Sequence, residues 1–147
     1  MKTLAVALLC ATGLSLANAA PDAGQPPSAH DLHAAECVAA LEVNTQALAQ
    51  QVKAGDEAPR ALLLDRLIAG TAFVGDTYLH GSSDEKQARA LAKEALEAQK
   101  SLSPAELAAR QLACAKEGKA LYDESNGLEK AVVKQLAKKR MGKLLGG

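Results

Sequence analysis

Apolar residues recur along this chain at helical spacing, and no segment shows the two-residue alternation of a half-buried strand. From about Asp31 to Lys53, Ala34, Cys37, Leu41, Leu48 and Val52 fall at three- and four-residue steps or their multiples, on one face. Gly55 is expected to stop this helix. A second is expected from about Asp56 to His80, with Pro59 in its first turn, where a missing N–H does no harm. Its seam reads as Leu63, Leu67, Thr71, Val74 and Tyr78. A third opens on Ser82-x-x-Glu85, in which each side chain can bond the other's backbone N–H, and carries Ala88, Leu91, Ala95 and Leu102 inward. Ser103-Pro104-Ala105-Glu106 repeats the device for a fourth, whose Leu107, Cys114 and Leu121 lie seven apart. Asn126-Gly127 reads as a break, since both residues tolerate positive φ.

The fifth helix, about Leu128 to Leu145, has an apolar stripe of Leu128, Val132, Leu136, Met141, Leu144 and Leu145. Lys130, Lys134, Lys138, Lys139, Arg140 and Lys143 take most of the remaining surface. The pattern predicts an all-α fold: a bundle of four helices with a fifth, basic helix docked or free. Alanine makes up about a fifth of residues 20–147, so the helices should be thin and closely spaced. No internal repeat is visible.

The first residues change where such a bundle belongs. Lys2 precedes an apolar run from Leu4 to Leu16, then Ala17-Asn18-Ala19 with Pro21 just beyond. That is the layout of a secretory signal peptide cleaved after Ala19, with a run too short to anchor in a bilayer. Its brevity suggests bacterial export, to the periplasm or the medium. Cys10 follows Leu9 rather than a small residue, which disfavours lipidation. The expected layout is a signal peptide at 1–19, a flexible Pro- and Gly-rich leader at 20–30, a helical domain at 31–127 and a basic helix at 128–147.

Two cysteines remain after cleavage, Cys37 and Cys114, both on expected inner faces. An even count in an oxidising compartment argues for one disulfide joining helices one and four. The chain-entropy model assigns such a loop roughly 4.5 kcal/mol. A redox couple is the weaker reading, because there is no C-x-x-C.

Charge divides the chain. Residues 20–127 carry 10 basic and 16 acidic side chains, and residues 128–147 carry 6 and 1. The basic end is therefore the natural contact for something anionic, the chain's own acidic body included; its lysines read first as the solvated face of a fifth bundle helix, with an acidic partner or an anionic membrane surface as the other readings. Nucleic acid is not expected, since the cleaved chain is net −1 and shows no aromatic platform for bases.

Two clusters look like chemistry. The run Phe73-Val-Gly-Asp-Thr-Tyr-Leu-His-Gly81 offers Asp76 and His80 four apart, with Ser82 or Ser83 as a conceivable nucleophile. No G-x-S-x-G elbow or oxyanion loop accompanies them. The preferred reading makes Asp76–His80 a surface pair and His80-Gly81-Ser82 a helix junction, and a hairpin turning at Gly75-Asp76 is the lesser alternative. Gly70 and Gly75, costly inside a helix, are expected to mark a tight helix crossing near Phe73. His30, His33 and Glu36 fall at three-residue steps and suit a transition metal. With no evident further ligand, the two histidines read as exposed first-turn residues and the set as one of weak metal affinity.

No cofactor is expected and no motif names a family. The composite expectation is an exported, non-enzymatic helical protein that binds another macromolecule, of inhibitor, immunity or envelope-accessory type. Membrane-surface association through the last helix is the first alternative, and a small-ligand carrier with a pocket inside the bundle the second.

Overall fold

A computed structural model describes residues 26–81 and 83–146. The signal-peptide reading, Cys10, most of the leader and Ser82 lie outside those residues. The described chain is all-α: α1 (Ala29–Lys53), α2 (Arg60–His80), α3 (Glu85–Gln99), α4 (Pro104–Glu124) and α5 (Gly127–Gly146). Cys37 and Cys114 are joined as a disulfide, as expected for this fold class.

Local chemistry explains the starts. α1 begins two residues before Asp31 because Ser28 caps it: the Ser28 hydroxyl accepts from the Asp31 N–H, and the Asp31 carboxylate accepts from the Ser28 N–H. Ser103 and Glu106 form the expected box on α4, with Pro104 at its first position. Hydrogen bonds from the Ser103 hydroxyl and backbone N–H hold the Glu106 carboxyl below its ordinary pKa. The expected Ser82–Glu85 box gives way to Asp84, whose side chain accepts from the Gln87 N–H, leaving Glu85 as the first helical residue. Asn126 is a start rather than a break: its side chain accepts from the Leu128 and Glu129 N–H groups, and Glu129 accepts from the Asn126 N–H. Gly127 is accordingly helical, and Gly55, just past α1, holds the one positive φ among the described residues, 99°.

Short connections fold the helices back on one another. His30 of α1 meets Asp76 near the end of α2, Cys37 meets Cys114, and Asn44 meets Gln111, so α1 runs antiparallel to both α2 and α4. Ser83 meets Asp31, which starts α3 beside the start of α1. α5 lies against α2 and α1, and α3 against α1.

Two buried clusters lie along the α1–α2 hairpin. In one, Ala34, Cys37, Leu41, Ala69 and Phe73 meet Cys114 and Ala115 of α4. In the other, Leu48, Ala49, Val52, Leu63 and Leu67 close around Ala137 of α5, with Met141, Leu144 and Leu145 packed alongside. The fifth helix is thus docked. It seats itself through Val133 and Ala137, while Leu128, Val132 and Leu136 of the expected stripe face outward.

The seam expected on α2 holds through Leu67 and then fails. Ala69, Ala72 and Phe73 are buried, whereas Val74 and Tyr78 are exposed. The tight crossing also lies elsewhere. A Cβ on Gly75 would meet nothing within 4 Å, and one on Gly70 only the Leu41 side chain at 3.9 Å. A Cβ on Gly118 of α4 would sit 2.6 Å from the Ala69 carbonyl oxygen, so α2 and α4 touch backbone to backbone there. Gly75→Ala should therefore raise stability by about 0.5–1 kcal/mol, seen as a higher urea midpoint with unchanged slope. A lower midpoint would mean that a neighbour approaches Gly75 after all.

Candidate functional site

The capped start of α1 places its two histidines on different partners. His30 Nε2 lies 2.7 Å from Asp76 Oδ2, and His80 Nδ1 lies 3.0 Å from the other oxygen of the same carboxylate. Asp76 and His80 are the surface pair expected from their spacing, extended by His30 from α1. His33, one turn on, points to α4: its Nε2 is 2.9 Å from Glu117 Oε2 and 3.9 Å from Cys37 Sγ. Its ring also meets Phe73 edge-on, with centroids 6.3 Å apart.

The expected His30–His33–Glu36 set is therefore split. Glu36 is exposed and shares a groove of about 470 Å³ with His33, Cys37, Cys114 and Glu117, while His30 is engaged by Asp76. Helical spacing brought the three to one side of α1, but the neighbouring helices divide them. Ser83 is committed as well, donating to the buried Asp31 carboxylate at 3.1 Å rather than to an imidazole. Gly81 sits against that same carboxylate, and a Cβ there would run into Asp31 and the Thr77 carbonyl. Its φ is −73°, so close approach, not left-handed geometry, explains the glycine.

The six basic residues of α5 also divide. Lys130 donates to the Asp123 carbonyl at 2.7 Å, and Arg140 pairs with Glu42 of α1. Lys134, Lys138, Lys139 and Lys143 are exposed. No helix among the described residues is long and apolar enough to cross a membrane.

What the residue pattern did not foretell is an apolar surface around the end of α2. Tyr78 is 88% exposed, Leu128 77%, Leu79 59% and Val74 53%. A groove of about 700 Å³ runs on one side of this ridge, between α2, the end of α4 and the start of α5, with Leu128 and Val132 in its wall. A second, of about 560 Å³, runs on the other side between α1, α2 and α3, with Val38 and Leu91 in its wall. Tyr78 belongs to both. Carboxylates rim them: Asp76, Glu124 and Glu129 on the first, Asp84 and Glu85 on the second.

Compared with protein-family models, curated proteins and solved structures, the chain has no significant match. The reading of function accordingly rests on this surface and on the polar cluster beside it.

Proposed function

We propose that this is an exported, non-enzymatic binding protein whose contact surface is the ridge of Val74, Tyr78 and Leu79 with its two flanking grooves. The observation that carries the reading is the exposure of Tyr78 at 88% amid Leu79, Leu128 and Val74, each more than half exposed. Soluble domains rarely leave a contiguous apolar patch of this kind without a use, and tyrosine supplies much contact area at little rotamer cost. The carboxylate rim selects a partner whose apolar residues are flanked by basic ones, such as an amphipathic helix of a second protein. That moves the contact from the basic helix, where charge alone had put it, to the acidic end of the bundle.

A photo-crosslinking residue in place of Tyr78, in cells that export the chain, should give one protein adduct. Leu128→Asp should abolish that adduct while leaving the melting temperature unchanged, because Leu128 is exposed. Adducts at Lys139 but not at position 78 would overturn the reading.

Anionic lipid is the second reading. Lys134, Lys138, Lys139 and Lys143 stand exposed on the same helix as Leu136 and Val132, both about half exposed. Co-sedimentation with anionic vesicles that is lost in a chain ending at Gly127 would favour it.

A further inference from the structure

Three side chains from α1 and α4, His33, Cys37 and Glu117, gather at one point, and a fourth, Cys114, is bonded to the cysteine among them. His33 and Cys37 lie one turn apart on α1, and Cys114 and Glu117 lie one turn apart on α4. The antiparallel crossing brings the two pairs face to face, with the cysteines bonded at the floor. His33 Nε2, Cys37 Sγ and a Glu117 oxygen all lie within 4.8 Å of one another. A tetrahedral zinc ion at ordinary bond lengths needs about 3.3 Å between its nitrogen and oxygen ligands and about 3.6 Å between nitrogen and sulfur. Here those separations are 2.9 Å and 3.9 Å, so each needs only a few tenths of an ångström of adjustment.

With the disulfide intact, neither sulfur is a thiolate, and thiolate is the form that binds zinc. We propose that reduction of Cys37–Cys114 converts this cluster into a zinc site of the Cys2HisGlu type, so that disulfide and metal are alternative states of one clasp between α1 and α4. A dithiol reductant supplies the step by thiol–disulfide exchange: it is oxidised to its own disulfide, and its two electrons and two protons leave Cys37 and Cys114 as thiols. Zinc then binds both sulfurs, the His33 imidazole and the Glu117 carboxylate, and the two thiol protons pass to solvent. In the reverse direction an oxidising disulfide takes the two electrons, the Cys37–Cys114 bond reforms, and one zinc ion is released.

Three features suit the site to this role. Cα–Cα separation at the cysteines is 5.2 Å, and rotation about the Cα–Cβ bonds can part the sulfurs to the roughly 3.8 Å that two zinc thiolates need. His33 and Glu117 have side chains 53% and 47% exposed, so an ion can arrive from solvent along the groove above the cysteines. The cysteines themselves are 1% and 3% exposed, which shields a zinc–thiolate centre from water.

The test uses the full exported chain, reduced with a phosphine that binds metal weakly, and cobalt(II) and zinc as probes. One equivalent of cobalt should give tetrahedral d–d bands with a thiolate-to-cobalt transition, and zinc should bleach both. The oxidised chain should give neither. His33→Ala and Glu117→Gln should each weaken zinc binding to the reduced chain by at least the roughly 10–100-fold typical of lost supporting groups. Zinc should also raise the melting temperature of the reduced wild type and not that of the oxidised protein.

Absence of the thiolate transition at one equivalent overturns the proposal, whether the reduced chain is folded or unfolded by far-ultraviolet circular dichroism. Wild-type zinc affinity in both variants also overturns it, because the thiols alone would then be the ligands. Equal binding by the oxidised chain does so too.

Discussion

Gly118→Leu should cost the protein more stability than any surface change, and Gly118→Ala should already be damaging. Alanine is worth about 1 kcal/mol more than glycine inside a helix, so propensity alone favours the substitution. Packing opposes it. The new Cβ would lie 2.6 Å from the Ala69 carbonyl oxygen and 2.9 Å from the Ala69 carbonyl carbon and Cβ. Two of those atoms are backbone in the middle of α2 and cannot rotate away. Overpacking of this kind costs about 1–3 kcal/mol for small increments. Leucine adds three more carbons to the same crossing, so its cost should exceed about 3 kcal/mol, a large share of the 5–15 kcal/mol that holds a typical domain. Thermal melting of the oxidised variants checks this. A wild-type midpoint for Gly118→Leu would mean that α4 does not seat against Ala69.

Phe73→Ala should destabilise by about 3–5 kcal/mol. This is the chain's only phenylalanine, and it is 2% exposed in the cluster that contains the disulfide. Its buried neighbours there are Ala34, Ala69, Ala115, Leu41 and the two cysteines. Alanines have no length to spare and the bridged cysteines are tethered, so little around the ring can move into the space it leaves. The cost should therefore fall in the upper part of the range for large-to-small changes. Urea unfolding should show a lower midpoint with the wild-type slope. A loss below about 1 kcal/mol would mean that the cluster collapses around the gap.

Legibility of the fold followed contrast in side-chain size. On α1, leucines, a valine and a cysteine stand out against polar neighbours, and the expected face is the buried one. On α2 beyond Leu67, alanine, glycine and threonine blur the contrast, and two faces fit the same spacing. Val74 and Tyr78 drew the seam toward themselves because they are large. The helix instead buries Ala69, Ala72 and Phe73, since small residues let α1 and α4 come close. The serine–glutamate pattern read the cap correctly at Ser103 and Glu106, whereas at Ser82 and Glu85 the same pattern drew attention from Asp84, the residue that caps α3. Ser28 with Asp31 and Asn126 with Glu129 do the same work with less familiar pairs.

The polar cluster was half visible. His33 stood out at once, but its partner Glu117 is 84 residues away. One signal could have found it. If the disulfide fixes Cys37 against Cys114 on antiparallel helices, the residue one turn before Cys37 must face the residue one turn after Cys114. Those are His33 and Glu117. The apolar ridge had no such signal, because an exposed tyrosine and a buried one occupy the same helical spacing.

The two clusters along the α1–α2 hairpin act as separate fastenings on one spine. α4 is held to one end by a covalent bond, and α5 to the other by non-covalent contacts: packing and the Arg140–Glu42 pair, with the Lys130 hydrogen bond to Asp123 of α4 added. α4 and α5 touch each other little, so releasing one removes few contacts from the other. A membrane or protein that draws α5 away would therefore work against the Leu48–Leu63–Ala137 cluster and the Arg140 and Lys130 contacts, and not against the disulfide. The covalent fastening would thus make any detachment of the basic helix reversible, because the bridged spine would remain a template for its return.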